Sequence, residues 1–137
     1  MSLLTRGRQE APPPIMVARN TLMALSGAVL LVLKGRYSGP GSSLVHAYAG
    51  NFVVSFAVYF IASLTAHSFK RPRLVAALAA LSAVSAFEIT NGFGFMSNVY
   101  DPADLLANAA GIALAVVVDS ASSRVIGRGS HRGTPVA

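Results

Sequence analysis

The chain carries five carboxylates, and three of them, Glu88, Asp101 and Asp104, fall in one short stretch. Two side-chain amides accompany them. Asn91 lies three residues after Glu88, and Asn108 lies four after Asp104. Residues three or four apart share a helix face, so each pair makes one polar patch. Paired carboxylates can divide acid and base roles between them. They can also supply the oxygen ligands that a hard divalent cation prefers. Capping is the plainer use for Asp101, which stands directly before Pro102 and so opens a helix well. Other chemistry is excluded. Without Cys there is no thiolate nucleophile and no disulfide. The three His are scattered with no zinc-ligand spacing, so neither metal nor cofactor is expected.

The elements that must position these residues are apolar. The run Leu74–Phe87 carries no charge until it meets Glu88, and the run Leu105–Val118 is broken only by Asn108. The whole chain is 53% hydrophobic and 12% charged, against about a quarter charged in a soluble domain. A net charge of +6 would suit nucleic acid if it formed a stripe. Instead the basic residues sit in short clusters between apolar runs, as they do beside membrane helices, and no nucleic acid is expected. Spanning a bilayer takes about 20 residues, within a range of roughly 17 to 25. The sequence therefore predicts an all-α integral membrane four-helix bundle, with helices over about 15–33, 46–66, 74–91 and 102–118.

Residues 1–14 read as a flexible basic tail interrupted by three prolines, 15–119 as the transmembrane domain, and 120–137 as a basic, largely disordered tail. The first helix is retained rather than cleaved, since Lys34 follows it, and it spans if Arg19 snorkels to the headgroups. The glycine-rich connector after Lys34 lacks the spacing of a phosphate loop. In the second helix Asn51 and Ser55 share a face that points inward. Nine of the eleven Lys and Arg lie in the N-terminal stretch up to Arg19, in the 67–73 turn or after the last span. That bias places both termini in the cytoplasm and the Asp101/Asp104 loop outside.

With a short turn between them, the third and fourth helices bring Glu88, Asn91, Asp101, Asp104 and Asn108 together at the outer end of the bundle. Gly111, with Ala107 and Ala115 beside it, lets the helices approach. His46, at the outer end of the second helix, is placed to hydrogen-bond with the carboxylates. Lys34 or Arg36 could supply a cation, whereas His67 belongs to the opposite, basic end. A carboxylate exposed to hydrocarbon is costly, so Glu88 must face a cavity, a partner or the interface. Three uses remain open. One is a structural network joining two helices. Another is a pocket for the head of a membrane lipid or lipid-linked amphiphile. The third is an acid/base or metal-assisted site acting on such a head.

Residues 87–111 resemble the VanZ-like family of small bacterial membrane proteins, named for a teicoplanin-resistance protein. The likeness rests on Glu88 and Asn91, then Asp104, Asn108 and Gly111, with His46 and Tyr48 matching the start of a family helix. The chain departs from the family in having Asn91 where Gln is usual, no Arg between Glu88 and Asp104, and no glycine near Ala115. The stretch Lys34–Gly41, with Tyr48 and Gly50, is also similar to a related group of small membrane proteins. The resemblance implies a multi-pass protein of the bacterial inner membrane. Its implied role is in the cell envelope, on the side of glycopeptide resistance, with recognition of a lipid or glycolipid head. The alternative is a non-enzymatic structural or assembly subunit with a membrane protein partner.

Overall fold

A computed structural model describes residues 11–90 and 101–130, with side chains to 126. Its elements are α1 (Pro14–Lys34), α2 (Ser42–Ala66), α3 (Pro72–Ile89) and α4 (Pro102–Ser130), with no strand among the described residues. All four helices are long and apolar enough to cross a membrane, and the chain is a multi-pass, all-helical membrane protein. The predicted Asn91 and the aromatic segment 93–100 lie outside the described residues.

Local sequence explains the helix ends. Proline stands at the start of α1, α3 and α4, where its missing N–H is not needed. Asp101 caps α4 as expected: its Oδ1 accepts from Ala103 N at 2.9 Å. Gly41 enters α2 with φ 75°, a left-handed turn that glycine adopts without strain. It lets α2 begin at Ser42, ahead of the expected 46. α4 also outruns its expected end at 118 and continues to Ser130. Hydropathy marks where a helix leaves the apolar layer, and the backbone ladder persists beyond that point.

The helices alternate in direction around α2, which packs against the other three, while α3 also meets α4. Among the described residues, α1 meets only α2 backbone to backbone. The core is Tyr59, Phe60 and Ala66 of α2, Ala76, Ala80 and Val84 of α3, and Ile112 and Ala115 of α4. Small residues on α3 and α4 let backbones close on the two α2 aromatics, which meet edge to face at 5.3 Å. Gly111 is packed tightest: a Cβ there would collide with the Phe52 carbonyl of α2. Leu22, Leu25, Leu78, Leu106 and Val117 stay exposed on the outer faces. An aqueous fold would bury such residues, but hydrocarbon accepts them.

Candidate functional site

Side chains four residues apart on α2 organise the polar chemistry: Asn51, Ser55, Tyr59 and Ser63. At 3.6 residues per turn, each step of four advances about 40° around the helix. The stripe therefore sweeps from one neighbour to the next. Asn51 Nδ2 donates to Glu88 Oε1 of α3 at 2.9 Å. Ser55 Oγ donates to Asn108 Oδ1 of α4 at 2.6 Å. The Tyr59 hydroxyl donates to Asp119 Oδ2 of α4 at 3.1 Å. Ser63 Oγ accepts from Asn20 Nδ2 of α1 at 2.6 Å. Every fully buried side-chain nitrogen and oxygen among the described residues has a partner, as a low-dielectric interior requires.

The end of the bundle at Glu88 holds a groove of about 460 Å³. It runs between α1 and α3, which do not touch each other, over a floor of α2 and α4. One end is polar, with Lys34, Asn51, Glu88 and Asn108; the rest is walled by residues such as Leu31, Val58, Val84 and Phe87. The Lys34 ammonium lies over Gly50, in space that any larger side chain there would occupy. Among the described residues it reaches only the His46 carbonyl, at 3.5 Å. No ion pair joins Lys34 to Glu88, so the groove holds a cation and a carboxylate that do not neutralise each other.

The expected cluster divides. Glu88 and Asn108 line this groove together. Asp104 is buried, one turn before Asn108. Asp101 is a cap whose other oxygen accepts from Tyr48 at 3.3 Å. His46 does not reach the carboxylates: its Nε2 lies 3.0 Å from the Tyr37 carbonyl. A carbonyl only accepts, so the proton sits on Nε2, and the exposed ring ties the connector to α2. Of the two expected cations, Lys34 is the one in the groove.

The opposite end contains a network that the sequence reading missed. Asp119, 5% exposed, pairs with Arg19 of α1 at 2.6 Å and Arg73 of α3 at 2.9 Å. Arg19 does not snorkel outward. It bridges to α4, donating to Asp119, Ser122 and Ser123. The signal lay in topology: with four alternating spans, Arg19, Arg73 and Asp119 fall at one level of the bundle.

No family model, curated protein or solved structure matches this chain.

Proposed function

We propose that the groove between α1 and α3 receives the head of a lipid or lipid-linked glycolipid, in a VanZ-like protein of the bacterial cell membrane. The observation that carries this reading is the groove's make-up: an unpaired ammonium and a carboxylate at one end of a long apolar wall. Lys34 and the Asn108 amide N–H groups offer donors to phosphate or sugar oxygens, and Glu88 offers an acceptor to hydroxyl or amine groups. The apolar stretch suits an acyl or prenyl chain entering sideways from the bilayer. The sequence bias of nine basic residues among the stretch up to Arg19, the 67–73 turn and the stretch after the last span supports cytoplasmic termini and a groove facing outward.

A second reading, a structural or assembly subunit, is favoured by the mutual pairing of the buried polar groups. Native mass spectrometry of protein gently extracted from its own membranes separates the two. Wild type should carry a lipid-like adduct that Glu88→Gln loses, while Asn51 can still hydrogen-bond the new amide and hold the fold. Identical spectra with no adduct, or a co-released protein subunit in both, would support the structural reading instead.

A further inference from the structure

The Asp119 end holds a second cavity, of about 430 Å³, walled by Ile15, Met16 and Ile126 and edged by Arg19, Arg73 and Asp119. Its two arginines are not equivalent. Arg19 gives Nε and Nη2 to Asn20, Nη2 to Asp119, and Nη1 to Ser122 and Ser123. Those contacts engage all five guanidinium N–H groups. Arg73 gives Asp119 its Nε alone, at 2.9 Å. Its two Nη groups have no partner among the described residues, and its side chain is 48% exposed.

Asp119 has no acceptor capacity to spare. Its Oδ1 takes Arg19 and Ser123, and its Oδ2 takes Arg73 and Tyr59. Two guanidinium groups against one carboxylate leave a positive balance at the cavity mouth. The free edge of a guanidinium presents parallel N–H groups that match two oxygens of a phosphate. Basic pockets between membrane helices commonly take anionic headgroups.

We infer that this cavity binds the phosphate of an anionic phospholipid on the two Nη groups of Arg73, with an acyl chain against Ile15, Met16 and Ile126. The site lies at the opposite end of the bundle from Glu88 and stands independently of the reading given there.

The test uses the full chain in neutral detergent, titrated with dioleoyl phosphatidylglycerol or dioleoyl phosphatidylcholine and read by native mass spectrometry. Wild type should prefer phosphatidylglycerol. Arg73→Gln should weaken that adduct by about tenfold, the scale of one lost charge-assisted contact. Arg71→Gln makes the same charge change outside the cavity and should leave binding within about twofold, since an exposed charge contributes little. If Arg73→Gln does not fold, Met16→Trp, which fills the cavity and keeps the charges, should abolish the adduct. Equal occupancy by the two lipids in wild type would overturn the inference. So would equal loss in both arginine variants, or full displacement of the lipid by millimolar inorganic phosphate, which would identify a free-anion site.

Discussion

Asp119 accepts from Arg19 of α1, Tyr59 of α2 and Arg73 of α3, so one carboxylate of α4 ties all four helices together. Removing it leaves Arg19, whose side chain is 13% exposed, without its counter-ion. Breaking a buried pair from one side costs about 3–5 kcal/mol. Asp119→Ala should therefore lower the unfolding midpoint in detergent sharply. Asp119→Asn, which keeps an acceptor oxygen for Tyr59, should lower it less. Equal, small losses in both would show that the pairing contributes little. At the other end, Ser55→Ala removes the donor to Asn108. It should cost only about 0.6 kcal/mol, the average for such bonds between membrane helices. Site residues were legible where spacing along one helix decided them: Glu88 and Asn108 follow from charge and amide within apolar runs. Partners from distant helices were not. Asp119 read only as the last residue of the transmembrane domain, because its counter-ions lie 100 and 46 residues away in sequence.

At the scale of the element, α2 is the spine, and Gly111 sets how closely α4 lies against it. Any side chain there meets a backbone carbonyl, which cannot rotate away as a side chain can. Gly111→Ala should cost about 1–3 kcal/mol as an overpacked contact, and Gly111→Val more. Thermal unfolding of the detergent-solubilised variants checks this, and a neutral Gly111→Val would contradict the packing. The four helices were legible because each is an apolar run of spanning length bounded by proline, glycine or basic residues. The inward face of α2 was legible at Asn51 and Ser55 and continues through Tyr59 and Ser63. Helix ends were less so. α2 gains a turn through the left-handed Gly41, and α4 continues past its apolar run because nothing in residues 119–126 breaks a helix. His46 was misread because proximity in a schematic bundle ignores the connector, whose Tyr37 carbonyl lies nearer than any carboxylate.

At the scale of the molecule, the bundle has two polar ends of opposite character. One carries the Lys34–Glu88 groove, and the other the Arg19–Asp119–Arg73 network. The absence of Cys allows a direct test of which end faces out. Ser38→Cys should react with a membrane-impermeant maleimide in intact cells, and Ser68→Cys only after lysis. The reverse pattern would invert the orientation and place the groove inside.

Whether the groove holds a particular lipid head is tested most directly by photo-crosslinking in the membrane. Benzoylphenylalanine at Phe87 lines the groove, and the same residue at Leu78 faces the surrounding lipid. One lipid or glycolipid class should dominate the adducts at Phe87, while Leu78 captures the bulk mixture. The same bulk mixture at both positions would contradict the claim.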